Sequence, residues 1–161
     1  VYMLRRAKRD LQVTRGSFGR EHKKVIKAFV AEHRFTSQQT SLFKSIAQYL
    51  KISKSAVLFE ARKKKELVAF SIVDLGAADY AFYLFNFRSK NKYVPGGSDL
   101  LFHQMVNLAH AEGKKFLNLG LGVNPGIRRF KEKWGGEPFL NYVSVFVDKR
   151  EVDIKKLASK L

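Results

Sequence analysis

The segment from Asn124 to Gly136, NPGIRRFKEKWGG, gathers residue types that could serve transfer chemistry: a side-chain amide at Asn124 and a lysine at Lys131, among further cations. An ammonium set against a developing negative charge stabilises it, and a lysine drawn out of water has its pKa lowered toward the range of a proton donor. On a short exposed helix a lysine is ordinarily solvated, so Lys131 carries two readings. Asn124 also has two, a contact to a ligand or a helix cap. A second segment, Lys92 to Ser98 (KYVPGGS), could hold phosphates. Pro95 lacks an N–H, and Gly96 and Gly97 have no side chain to block an anion. Ser98 or Asp99 then begins a helix, whose first turn presents unpaired N–H groups and a partial positive charge. Lys90 and Lys92 add formal charge. The same residues would equally make an ordinary turn before a capped helix.

These residues need elements to position them. The Asn124 segment lies between two apolar runs, 115–121 (KFLNLGL) and 139–147, so strand, basic helix (126–134) and strand follow with almost no linker. Gly120 and Gly122 let the backbone open where the first strand ends, the place where an α/β sheet receives a ligand. The KYVPGGS loop follows Tyr80 to Phe87 (YAFYLFNF), a strand apolar on both faces and expected to be central. It leads into a helix over 99–112 that stops at Gly113. Upstream, Ala56–Arg62 and Leu67–Leu75 read as a hairpin about the turn KKKE, with a second turn over Gly76–Asp79. Residues 22–34 have helical spacing, and Thr36 or Ser37 caps a second helix with Gln39 in its first turn. Leu11, Val13 and Phe18 suggest a first strand, and residues 151–161 a last helix. The expected architecture is α/β (α+β): a mixed, mostly antiparallel sheet with helices on both faces.

Composition bounds the partners. The 161 residues suit one domain with a real core, and 45% hydrophobic residues with 14 Phe argue for a packed globule. No apolar run reaches membrane-spanning length, and no signal peptide is evident. Cysteine is absent, which excludes disulfides and thiolate chemistry and fits a cytoplasmic protein. No metal-binding motif or carboxylate cluster occurs, so no metal is expected. The net charge of +17 points to a phosphate-bearing partner such as a coenzyme, RNA or a nucleotide-linked substrate. A general base stays open among Glu60, Asp74, Asp79, His103 and His110. Trp134 reads as a packing residue.

In element order and in two motifs the chain resembles the GNAT superfamily of N-acyltransferases. The family's loop after the fourth strand, Gln/Arg-x-x-Gly-x-Gly/Ala, binds coenzyme A pyrophosphate through backbone amides. Lys92, Gly96, Gly97 and Ser98 stand at that loop, although the glycine spacing departs from the pattern. The family often carries Asn-x-x-Ala-x-x-Leu-Tyr-x-Lys-x-Gly-Phe across the helix after the fifth strand. Asn124, Ile127, Phe130, Lys133 and Gly135 match it, and Lys131 stands where the tyrosine acid would be. The run around Phe130-Lys131 and the helix before it look like the FemXAB branch, which includes the peptidoglycan aminoacyltransferases.

The resemblance covers 55–147 well, with 1–54 and 148–161 as flanking helices, strand and tail of one domain spanning 1–161. It implies transfer of an acetyl or aminoacyl group from acetyl-CoA, another acyl-CoA or an aminoacyl-tRNA to an amine. Lys131 and Asn86 would be catalytic. Phe85, Phe87, Lys92, Gly96, Gly97, Ser98 and Asn124 would hold the donor, with oxyanion amides from the fourth strand around Phe85, Asn86 and Phe87. FemXAB enzymes have two GNAT-like domains. A second such domain or a homodimer is therefore an expected partner, and a start at Val1 suggests an excised piece of a longer protein. The contrasting reading is a non-catalytic module of the same fold that binds RNA or another polyanion.

Overall fold

A computed structural model describes residues 2–139, 141 and 143. Backbone contacts group the chain into two compact units, Val1–Gly120 and Leu121–Leu161. The first contains α1 (Tyr2–Asp10), β1 (Gln12–Arg15), α2 (Arg20–Glu32), α3 (Ser37–Ile52), β2 (Ala56–Lys63), β3 (Glu66–Asp74), β4 (Tyr80–Arg88), α4 (Gly97–Ala111) and β5 (Phe116–Asn118). The second contains α5 (Pro125–Lys133). The expected strand over 139–147 and helix over 151–161 fall outside the described residues, apart from 139, 141 and 143, which form no strand.

The five strands lie in the order β1-β2-β3-β4-β5. The first four are antiparallel neighbours, and β5 returns parallel to β4 after the α4 crossover, as a parallel pair requires. The α/β reading with a mixed, mostly antiparallel sheet is therefore the architecture found. One sheet face packs Phe70, Ile72 and Phe87 against Ile26 of α2 and Ile46 of α3. The alternate residues meet α4, with α1 packed beside it.

Local chemistry explains most boundaries. The Thr36 hydroxyl accepts from Gln39 N–H at 3.2 Å, and the Gln39 side chain accepts from Thr36 N–H at 2.9 Å, a complete capping box for α3. Lys64, at φ 56, turns the β2–β3 hairpin. Beyond α4, Gly113 takes φ 67 and stops the helix as its type predicts.

Four expectations need correction. Residues 2–10 form a helix, with the first strand confined to Gln12–Arg15; α1 hides its apolar side with only Ala7 buried, too sparse a stripe to read among its cations. The strand buried on both faces is β3, where Leu67 to Val73 are all buried, and not β4. The expected strand over 115–121 shrinks to Phe116–Asn118. There Asn118 Oδ1 accepts from Gly120 N–H at 2.8 Å and Gly120 takes φ 65, an Asx turn that lifts the chain off the sheet. Finally, α4 begins at Gly97, with Gly96 as its N-cap, rather than at Asp99.

Candidate active site at the splay of β4 and β5

β4 and β5 pair only through Tyr80–Phe116, Ala81–Leu117 and Phe82–Asn118. Because β5 leaves the sheet at its Asx turn, the β4 backbone from Tyr83 to Arg88 has no β5 partner among the described residues. Across β3, Ile72 pairs with Phe85 and Val73 with Tyr83, so Leu84 is an extra residue, a β-bulge. Leu84 is 38% exposed. Bulges bend a strand and re-aim its groups, and this one sits where the two strands part.

The side chains around the splay divide by face. Phe85 and Phe87 point into the α2–α3 core, with Phe87 stacked on Phe70 at 5.1 Å between centroids. Their side chains are thus committed to the core. Asn86 faces α4, where its Oδ1 accepts from Ser98 Oγ at 3.2 Å. The neighbouring Tyr83 hydroxyl lies near Asn86 and Asp99; burial pushes its pKa well up, so it keeps its proton. The Asn86 side chain favours the Tyr83 phenolate, yet Asn86 Nδ2 makes no well-formed hydrogen bond and is buried. Ser71 Oγ, on the residue paired with Asn86, is buried without a partner too. Asn86 Nδ2, beside the Tyr83 hydroxyl, and Ser71 Oγ therefore lie beneath the start of α4 without a well-formed hydrogen bond among the described residues, an arrangement with a cost in stability.

The expected phosphate loop is placed as follows. Gly96 (φ 80) and Gly97 are both buried. A Cβ on Gly96 would stand 2.7 Å from the Met3 carbonyl oxygen and 3.1 Å from Ala7 Cβ; one on Gly97 would meet Leu11 at 3.4 Å. The two glycines therefore let α1 and the start of β1 approach closely, a reason the loop sequence did not disclose. No side chain caps the first turn of α4. Lys92 pairs with Glu66 at 2.9 Å and Lys90 with Glu32 at 3.2 Å, so both cations are shared with surface carboxylates.

In the second unit, Asn124 Oδ1 accepts from Ile127 N–H at 2.9 Å, so its side chain caps α5, with Pro125 in the first turn. Lys131 is half-buried, and its Nζ donates to the Leu121 carbonyl at 2.6 Å. Burial pulls its pKa below the ordinary lysine value. Lys133 lies 5.2 Å from the centre of the Phe130 ring.

One constellation escaped sequence reasoning. His22 and Glu60 are buried, with Nε2 3.0 Å from Oε1, close but without the alignment of a full hydrogen bond. His22 Nδ1 accepts from Gly19 N–H at 3.0 Å, which fixes the neutral tautomer with its proton on Nε2. Arg62 Nε donates to Glu60 Oε2 at 2.6 Å, and its other end reaches Glu21 at 2.8 Å. Burial lowers the His22 pKa against the opposing pull of Glu60. Gly16 is needed here, since a Cβ would collide with the Glu60 carboxylate. Glu60 drew notice as a strand carboxylate; His22 gave no signal, because its partner is far away in sequence. Asp74 accepts from Tyr49 Oη at 2.5 Å and from Ser55 Oγ at 2.8 Å, which ties α3 to the end of β3. His103 Nδ1 hydrogen-bonds the Asn107 side-chain amide at 3.3 Å on the exposed side of α4.

No family model matches the sequence, and no curated protein matches it. Solved structures do. A transcriptional regulator from Bacillus halodurans C-125 superposes with TM-score 0.64 at 14% identity, over 85% of this chain and 99% of that one. AAC(6')-Iy, in complex with a bisubstrate analogue of coenzyme A, gives TM-score 0.60 at 12% identity, over 87% and 98%. A GNAT-family acetyltransferase from Streptococcus pneumoniae TIGR4 gives 0.58 at 12% identity, over 87% and 99%. At these identities the likeness establishes the fold, that of the GNAT acetyltransferases, and leaves the chemistry to the site. Among the described residues no helix is long and apolar enough to cross a membrane, and no cluster of His, Asp and Glu could hold a metal ion.

Proposed function

We propose that this chain is an N-acyltransferase that moves an acyl group from acyl-CoA to an amine. The observation that carries the reading is the bulged stretch of β4 beyond Phe82, without a strand partner on its β5 side among the described residues, with the uncapped start of α4 bonded to it through Ser98 and Asn86. An open strand edge offers amides to an extended acyl chain and to the oxyanion formed when an amine attacks the thioester. The helix start offers N–H groups and a positive dipole end to the donor's phosphates.

In this reading Asn86 and the β4 backbone at Phe85 and Phe87 hold the thioester. The loop from Lys92 to Ser98 holds the pyrophosphate; with Gly96 and Gly97 packed under α1, Ser98 and the following amides carry that contact. Lys131, with its lowered pKa, supplies the proton to the departing thiolate. Asn124 acts by setting the start of α5. The protein works in the cytoplasm, as one GNAT-like domain of a larger protein or in a homodimer.

The pair Phe130-Lys131 supports a finer version, in which the donor is an aminoacyl-tRNA, as the resemblance to the FemXAB branch implies. The +17 charge supports both donors, and it also supports a non-catalytic RNA-binding module on this fold.

Thermal melting separates these. Acetyl-CoA at about 100 times its dissociation constant should raise the melting temperature by roughly 5 to 10 °C. No shift with acetyl-CoA, and a salt-sensitive shift with aminoacyl-tRNA or RNA, would move the assignment to those readings.

A further inference from the structure

α2 and α3 are consecutive and both bury apolar residues against the sheet, touching each other where Phe29 meets Phe43 edge-on at 5.7 Å between ring centroids. Between them runs a cleft of 320 Å³, floored by Phe18, Ile26, Val30, Phe43 and Ala47. That volume is at the lower end of the range of small-molecule sites, which are likewise mostly apolar with a few polar groups. The lining contains no carboxylate, and the charges at its rim are Lys23, Lys27 and Lys44. None of these three is in an ion pair among the described residues. A second, more polar cavity of 520 Å³ adjoins the first and shares Phe18, Lys23 and Ala47 with it. It opens at the start of α2, beside Ser17, Gly19, Arg20 and Lys51. The N-cap of that helix, Gly19, has no side chain to cap it, and the N-terminal dipole end favours an anion.

The two cavities thus form one path, apolar on its floor between α2 and α3 and more polar toward the start of α2, with cations along the rim of both parts. We propose that it binds a free single-chain anionic amphiphile of the fatty-acid type. Its alkyl chain would lie between α2 and α3, and its carboxylate beside Arg20, Lys23 and Lys51. Charge complementarity selects an anionic head over a neutral one. The recessed lining selects a single chain over a bilayer surface, because Phe18, Val30 and Phe43 are half-buried in the core rather than protruding, whereas interfacial anchors must project their apolar face into lipid. This site is distinct from the β4–β5 splay and does not depend on the acyltransferase reading.

The test is calorimetric titration of the full chain with laurate, with dodecanol, and with phosphatidylglycerol vesicles. Laurate should bind saturably at one site and at least tenfold more tightly than dodecanol, with the gap narrowing as salt is raised. Lys23→Glu with Lys51→Glu, both exposed positions, should weaken laurate at least tenfold and leave dodecanol unchanged. Ala47→Phe, which narrows the part common to both cavities, should weaken both ligands, with unchanged circular dichroism as the folding control. Equal binding of laurate and dodecanol, indifference of laurate to the two charge reversals, or binding of vesicles alone would overturn the proposal.

Discussion

Ser98, in the first turn of α4, donates its hydroxyl to Asn86 Oδ1 in β4 at 3.2 Å. The contact joins the helix start proposed to hold phosphates to the strand proposed to hold the acyl group. Asn86 Nδ2, buried beside the Tyr83 hydroxyl without a well-formed hydrogen bond, is the donor proposed for the oxygen of a bound thioester. Removing that donor should lower turnover with acetyl-CoA by about 10²-fold, the size seen for one oxyanion contact. Asn86→Ala is the variant, and kcat from thiol release is the measurement. Ser98→Ala keeps the Asn86 amide and should cost only about 1 kcal/mol of stability. Wild-type kcat in Asn86→Ala would remove Asn86 from the chemistry.

Lys131 gives a pH signature. Its Nζ is half-buried and bonded to the Leu121 carbonyl, and burial holds its pKa below the usual lysine value. A lysine that gives its proton to the leaving thiolate works only while protonated. Activity should therefore fall as pH rises through that lowered pKa. In Lys131→Ala the alkaline limb should disappear, and kcat should drop by about 10² to 10⁴-fold. A variant with an unchanged alkaline limb would show that Lys131 has no part in the proton transfer.

The His22–Glu60 pair predicts acid sensitivity of the fold. His22 is held neutral because Nδ1 must accept from Gly19 N–H, and its pKa is lowered from 6.5 chiefly by burial. Glu60, Glu21 and Arg62 are the charged groups that face it. A histidine with a lowered folded pKa takes up its proton more readily when unfolded. Stability should thus be complete above 6.5 and be lost as pH falls from there toward the folded value. Denaturant titrations across pH measure this, and His22→Phe should flatten that part of the profile while costing about 2 to 4 kcal/mol at neutral pH.

Two glycines are predicted to be intolerant for different reasons. Gly96→Ala must hold φ 80 with a side chain and push back the Met3 carbonyl, a cost of about 2 to 4 kcal/mol. Gly16→Ala meets the Glu60 carboxylate, which His22 and Arg62 hold in place, so the clash is not relieved by rotating a free side chain. Gly113→Ala, at φ 67 with nothing near its Cβ, should show strain alone, about 1 to 2 kcal/mol. Melting curves of the three variants should rank in that order, with Gly113→Ala the mildest.

Much of the fold was readable because its signals are local. The Thr36–Gln39 capping box, the KKKE turn and Gly113 act within a few residues of themselves, and they placed α3, the hairpin and the end of α4 correctly. Three features were not readable, α1 and the Leu84 bulge because they depend on distant partners. The helix α1 is defined by what Gly96 and Gly97 leave room for. The short β5 is set by an Asx turn at Asn118, within a run whose hydrophobicity continues to Leu121. The Leu84 bulge arises from the register against β3, which the uniform apolarity of YAFYLFNF conceals. For the site, the GNAT resemblance pointed to Asn86 and Ser98 as candidates for a ligand contact, but their mutual bond and the buried His22–Glu60 pair required the tertiary structure.

The acyltransferase assignment rests on donor binding at the β4–β5 splay. Isothermal titration of the full chain with acetyl-CoA, repeated with a deletion of Leu84 that restores regular β3–β4 pairing, tests it directly. Saturable one-site binding that the deletion abolishes, with the fold retained by circular dichroism, is the expected result. Absence of binding at millimolar acetyl-CoA, or binding that is indifferent to the bulge, would contradict the assignment.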